Sequence, residues 1–192
     1  RVAAFTSTSG NDVLVVADSG GWTAAGGGGH DVLVGGASST NTLYGDSISG
    51  IESFSDGNDL IIGGSNATNT LYGLGGNDLL IAGTNATTVM HGGSGNDVFR
   101  VADNSTSNAY GGSGTDILDF SNLNSAINFT LAQPAPGVTT TFSASNMSGA
   151  YDSIEGVVGT RFGDTLRGSS VSDIINGGAG NDTLWGMGGN DT

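Results

Sequence analysis

Four aspartates, Asp59, Asp78, Asp97 and Asp116, recur every 19 residues. A register held over several intervals belongs to a repeated structural unit, because solvated surface acids have no reason to keep one. Their surroundings recur too. GGGGHDVLV at 26–34, GLGGNDLLI at 73–81, GGSGNDVFR at 92–100, GGSGTDILD at 111–119 and GGAGNDTLW at 177–185 all fit G-G-x-G-x-D-x-U-x, where U is apolar, with Leu74 at the second glycine as the one departure. Shorter matches surround Asp12, Asp59, Asp164, Asp173 and Asp191. Between the acidic loops of the 19-residue series lie loops with a neutral residue in the aspartate's place: Asn69 in NTLYG, Thr88 in TVMHG and Ser107 in SNAYG, with Asn41 in an earlier NTLYG. The period of 19 thus divides into 10 and 9, and successive loops alternate between two edges of a stack, one acidic and one neutral.

The chemistry of the unit follows from its residues. Tight glycine turns point main-chain carbonyls inward, and carbonyl and carboxylate oxygens are what calcium takes, about six to eight at a time. After each aspartate three residues run extended with the middle one facing in: Leu14, Leu33, Ile61, Leu80, Phe99, Leu118, Leu166, Ile175 and Leu184. One nonapeptide makes half a coil. Two make a full coil with a strand in each of two parallel sheets, and coils stack at about 4.8 Å. The predicted class is all-β, a parallel β-roll or β-solenoid, with a less regular β segment between two rolls.

Composition narrows the function. With 18 acids, 4 arginines and no lysine the net charge is −14, which disfavours nucleic acid and anionic membrane as partners, since both require cationic patches. Self-repulsion of this size calls for a cation, and divalent metal is the simplest. Apolar residues are 36% of the chain and cysteine is absent, so neither a thick core nor disulfides hold the fold. The longest apolar run, 13–17, is too short to span a bilayer. No signal-peptide pattern follows Arg1 and the last residues stop within a repeat, so the expected partners include the rest of a longer parent chain.

On these motifs the chain resembles the RTX (repeats-in-toxin, haemolysin-type) calcium-binding β-roll family, over most of residues 10–120 and 163–192. The resemblance implies ions held between loops one coil apart on one edge, each by two aspartates and several carbonyls. Carried across, the neighbours are Asp12 with Asp31, Asp59 with Asp78, Asp78 with Asp97, Asp97 with Asp116, Asp164 with Asp182, and Asp173 with Asp191. These ten aspartates are the candidate ligands, for roughly five to eight Ca2+ ions. The resemblance further implies a bacterial product exported unfolded by type I secretion, folding on calcium outside the cell or at its surface.

The pattern also breaks. The expected division is 1–120 for a first roll, 121–162 for an irregular β segment and 163–192 for a second roll. Asp31 and Asp59 are 28 apart, which is 19 plus 9. An added half-turn within 45–58 would switch the acidic loops to the other edge, whereas a bulge would keep the edge constant. The half-turn is the expectation, because IESF resembles the later SIEGV. In 121–162, AINFTLA and VTTTFSA read as strands flanking a turn at 133–137. Acids at 164, 173, 182 and 191 are nine apart, so both edges of the second roll should bind calcium.

On the neutral edge Asn66-Ala-Thr68, Asn85-Ala-Thr87 and Asn104-Ser-Thr106 also recur every 19 residues. They read first as ladders bonding the loops above and below. A face for ice or sugar, and glycosylation of the N-x-S/T triplets, stay open. No active site is legible. His30 and His91 occupy unrelated repeat places, no HExxH or GxSxG occurs, and Glu52 and Glu155 read as structural. The chain reads as no enzyme but a structural or adhesive module of a secreted or surface-layer protein, with assembly onto copies of itself left open. The alternative is a C-terminal accessory or secretion domain of an exported enzyme.

Overall fold

The computed structural model describes residues 2–6, 8–47, 56–132, 140–144 and 146–192. Strands β1 (Val2–Thr6), β3 (Gly20–Gly27), β5 (Ser39–Asp46), β7 (Thr68–Gly75), β9 (Thr87–Ser94), β11 (Thr106–Ser113) and β15 (Met147–Asp152) stack in parallel as one wall, closed by β14 (Thr140–Ala144) running antiparallel on β15. The facing wall is built from three-residue strands: β2 (Val13–Val15), β4 (Val32–Val34), β6 (Leu60–Ile62), β8 (Leu79–Ile81), β10 (Val98–Arg100), β12 (Ile117–Asp119), β16 (Gly156–Val158) and β18 (Ile174–Asn176). A third sheet holds β13 (Asn128–Thr130), β17 (Thr165–Arg167) and β19 (Thr183–Trp185). This is the all-β parallel roll the repeats predict.

The two walls are unequal, which the nonapeptide alone does not predict. On the neutral edge the residue in the aspartate's place lies inside the strand, pointing inward, so β7 alternates exposed and buried from Thr68 onward. The long strand therefore takes in eight residues and the short one three. Between the walls the core is one side chain thick on each side. Leu33, Ile61, Leu80, Phe99 and Leu118 come from the short wall, and Leu43, Leu71, Met90 and Ala109 from the long one, all fully buried. At the ends of the stack the inward residues lose cover: Leu14 and Ile175 are half-buried and Leu184 is 46% exposed.

The register across the long interval overturns the half-turn expectation. Val32 pairs with Leu60 and Asn41 with Asn69, each 28 residues apart, so both walls simply skip the extra nine. The insertion is a bulge on the acidic edge, and the edge does not switch. The reason is the matching of NTLYG at 41–45 on NTLYG at 69–73. Leu43 continues the column of Leu71, the Tyr44 and Tyr72 rings stack at 4.8 Å, and Asn41 Nδ2 donates to Asn69 Oδ1 at 2.8 Å. A switch of edge would break all three rows. Residues 48–55, Glu52 among them, and the proposed turn at 133–137 lie outside the described residues.

After β12 the chain leaves the regular coils. Phe120, Phe129, Phe142 and Tyr151 form a ring cluster with centroids 5.1–6.1 Å apart. The cluster fills the space where the long wall ends and the third sheet begins. The short wall runs on without interruption: β12 pairs with β16, which pairs with β18. From there the coil length is 18 rather than 19, as Gly156 opposite Ile174 and Thr165 opposite Thr183 show.

Candidate metal centre

Two adjacent loop positions carry opposed hydrogen-bond ladders. At the aspartate position each carboxylate Oδ1 accepts the amide of the aspartate one coil earlier: Asp12 N–H donates to Asp31 at 2.7 Å, and Asp31 to Asp59, Asp59 to Asp78, Asp78 to Asp97 and Asp97 to Asp116 at 2.8 Å. At the position before it the side chains accept in the other direction. His30 N–H donates to Asn11 Oδ1, Asn58 N–H to His30 Nδ1, Asn77 N–H to Asn58, Asn96 N–H to Asn77 and Thr115 N–H to Asn96, at 2.7–3.0 Å. The Asn-Asp dipeptide thus satisfies loop amides both up and down the stack. The sequence treats the first of these places as variable; the structure shows that it needs an acceptor, which His30 supplies through Nδ1.

The second carboxylate oxygen is different. Oδ2 of Asp31, Asp59, Asp78, Asp97 and Asp116 is buried and has no hydrogen-bond partner. Each faces a cradle of backbone. A methyl group on Gly73 would collide with Asp78 Oδ2 and with the carbonyl oxygen of Gly92 in the next coil, and Gly26, Gly45, Gly92 and Gly111 stand in the same relation to Asp31, Asp59, Asp97 and Asp116. A buried anionic oxygen without a donor costs several kcal/mol by order of magnitude. Burial accordingly pushes the Asp78 carboxyl up to about 8 and those of Asp59 and Asp116 to about 7, with Asp31 and Asp97 also raised. Either a proton or a cation relieves such a group, and the two compete for the same oxygen. Among the described residues no three acidic or histidine side chains converge on one point, so carbonyls must supply much of any shell. Hard oxygen donors of this mixed kind suit calcium.

The remaining predicted aspartates differ in their second oxygen. At Asp12, Asp164 and Asp173 a Thr or Ser occupies the second glycine's place. Thr8 donates its amide and hydroxyl to Asp12 Oδ2 at 3.0 and 2.8 Å. Thr160 does the same to Asp164 at 2.6 and 3.1 Å, and Ser169 to Asp173 at 2.5 and 2.9 Å. These carboxylates are capped from within their own loops. Asp182 and Asp191 keep the ladder, accepting the amides of Asp164 and Asp173 at 2.8 and 3.1 Å, on the two edges that the nine-residue spacing predicts.

Two further acids enter this edge: Asp46, which the sequence does not single out, and Glu155, which it marks only as structural. Asp46 stands where Gly27 stands one coil earlier, and its buried carboxylate accepts Gly57 N–H and Gly75 N–H at 3.2 and 3.1 Å, stitching the bulge to its neighbours. Glu155 extends the column: its Oε2 accepts the Asp116 amide at 2.9 Å. Neither lies in a nonapeptide, so no pattern signals them.

The neutral edge closes on itself. Asn41, Asn69, Thr88 and Ser107 are buried. Asn69 Nδ2 donates to Gly64 carbonyl oxygen at 3.0 Å and Thr88 Oγ1 at 3.2 Å, while its Oδ1 accepts Gly64 N–H at 3.0 Å. Asn66, Asn85 and Asn104 take φ values of 53–54°, the left-handed turn that asparagine tolerates better than most residues. His91 stacks between Tyr72 and Tyr110 at 4.8 and 4.9 Å, in a ladder rather than near any acid.

With this geometry in view, the comparisons agree. The family model described as the RTX calcium-binding nonapeptide repeat (4 copies) matches residues 23–47, 55–89, 64–99 and 158–192. No curated protein matches the chain.

Proposed function

The chain belongs to the RTX calcium-binding nonapeptide repeat family, and from that premise we propose that it is a calcium-folded structural module of an exported bacterial protein, working outside the cell or at its surface. One observation carries the reading: five buried aspartates each hold an unpartnered oxygen beside the same glycine as a main-chain carbonyl oxygen of the neighbouring turn. Nothing among the described residues satisfies those oxygens, and a divalent cation would. Asp31, Asp59, Asp78, Asp97 and Asp116 are the residues that would hold it, with Gly45, Gly73, Gly92 and Gly111 among the carbonyl donors. The ion supplies charge neutralisation and a cross-link between coils. The protein's own groups orient the carboxylates, through the amide ladder on Oδ1, and exclude water by stacking glycine on glycine.

Because all five aspartates are more than nine-tenths buried and lie one coil apart, binding free energy becomes folding free energy. A chain that stays open at low cytosolic calcium and rolls up in millimolar calcium suits export followed by folding. Hydroxyl-capped Asp12, Asp164 and Asp173 would bind more weakly. The test is far-UV circular dichroism of chelator-treated protein during calcium titration. A coil-like spectrum turning cooperatively to β at sub-millimolar to millimolar calcium is expected. A β spectrum indifferent to chelator would make calcium an accessory and remove the folding role.

A further inference from the structure

The last nonapeptide of the regular coils holds Asp116, and the chain rejoins the two walls only at β15 and β16. Asp116 is 0% exposed and its Oδ2 has no partner, like its four predecessors. The predecessors each face the carbonyl of a repeat glycine in the following coil. Asp116 has no following nonapeptide, and yet its cradle is complete: a methyl group on Gly111 would collide with Asp116 Oδ2 and with the carbonyl oxygen of Ser153. Ser153 reaches that place in a left-handed conformation, φ 55°, two residues before Glu155, with Ile154 between them buried in the core. In a regular repeat four residues separate the glycine from the aspartate, as between Gly73 and Asp78. The return is thus a different turn that presents the same pair of groups.

Glu155 completes the likeness. Its Oε2 takes the Asp116 amide at 2.9 Å, and the Glu155 and Gly156 amides both donate to the Asp116 carbonyl at 2.9 Å. The longer glutamate side chain spans the shorter turn. Two carboxylates are brought together here, one of them fully buried, and among the described residues neither is paired with an arginine or histidine.

We propose that Asp116, the Ser153 carbonyl and Glu155 form a further site for a hard divalent cation of the calcium class, locking the returning chain onto the last regular coil. The site rests on the calcium reading of the module, and Ser153 and Glu155 lie outside every nonapeptide match. Its occupation fixes β16 in register on β12, and so sets where the second roll starts. A glutamate at this place makes the junction respond to the same ion as the coils, so that the two rolls fold as one stack.

Crystals of the intact chain grown with calcium chloride, with anomalous data collected, test the site directly. A peak between Asp116 Oδ2 and the Ser153 carbonyl, alongside peaks at Asp59, Asp78 and Asp97, is the expected result. Peaks at those three aspartates with none at Asp116 overturn the junction site and leave the module's calcium binding intact. No peaks anywhere overturn both. In solution, E155Q keeps an acceptor for the Asp116 amide while removing the charge. Equilibrium dialysis of E155Q at saturating calcium should count one ion fewer per chain than wild type, with the β spectrum retained; an unchanged count at unchanged midpoint overturns the proposal.

Discussion

The two edges of the regular coils solve one problem in two ways. Both turn the chain every 19 residues, both bury a polar side chain at the turn, and both stack that side chain on its equivalents one coil away. On the neutral edge Asn69 uses every polar atom: its oxygen accepts Gly64 N–H and its nitrogen donates to a carbonyl and to Thr88. On the acidic edge Asp78 uses one oxygen for the ladder and leaves the other bare. The substitution of an amide nitrogen by an oxygen converts a closed hydrogen-bond network into an open ligand set. On the proposed calcium reading, metal dependence in this fold would be local, written at one atom per coil rather than spread through the core.

The largest effect should come from erasing that atom's charge. Replacing Asp31, Asp59, Asp78, Asp97 and Asp116 together by Asn puts an N–H donor opposite the glycine carbonyls that Oδ2 now faces, as Asn69 does on the other edge. The variant is expected to keep β structure in chelator and to lose its calcium response, read by circular dichroism with and without calcium. An unfolded variant at every calcium concentration would show that the two edges are not interchangeable.

Protons should do part of the same work reversibly. The carboxyls of Asp59, Asp78 and Asp116, at about 7 to 8 in the rolled form against about 4 in an open chain, bind protons more tightly when folded. Between pH 8 and pH 4 the rolled form then takes up more protons than the open one, so without calcium its stability rises as pH falls and levels off below the open-chain value. In calcium the sign reverses, because protons compete for the same oxygens. Chelated protein should gain β signal from pH 8 to pH 5, while the calcium midpoint at pH 5 moves upward from its value at pH 8.

On the neutral edge the effect should be smaller and indifferent to calcium. Asn69→Ala strands Gly64 N–H and carbonyl and removes one of the two acceptors of Asn41 Nδ2, a loss of about 1–3 kcal/mol for buried groups left unpaired. Urea unfolding at two saturating calcium concentrations should give the same loss. A loss that grows as calcium falls would mean that the edges are coupled through the core.

How far this comparison was readable from sequence depends on what each residue answers to. The period, the inward residues and the acidic column at 59, 78, 97 and 116 were legible because stacking forces identical places to repeat. The bulge was not, since nine extra residues match a half-turn in length, and the decision lay in the pairing of two distant NTLYG segments. Glu155 was legible as structural but not as part of the acidic column, because its turn has a different length from the repeat and alignment on spacing passes over it. The caps at Thr8, Thr160 and Ser169 were visible as departures from glycine, but their meaning needed the hydroxyl's distance from the carboxylate.

The smallest test concerns Leu74, the departure from the motif. It occupies the second glycine's place with φ 78°, a left-handed conformation that costs a residue with a side chain about 1–2 kcal/mol. Gly93 and Gly112 take the same place in the next two coils with φ 111° and 109°. Leu74→Gly relieves that strain and gives up only a half-buried side chain, so a net gain of about 1 kcal/mol or less is expected in urea unfolding at saturating calcium. The calcium midpoint should move slightly downward with it, since the relief falls in the loop between Gly73 and Asp78. A net loss would show that the Leu74 side chain shields the acidic edge from water, and that apolar cover contributes to the cation site alongside charge.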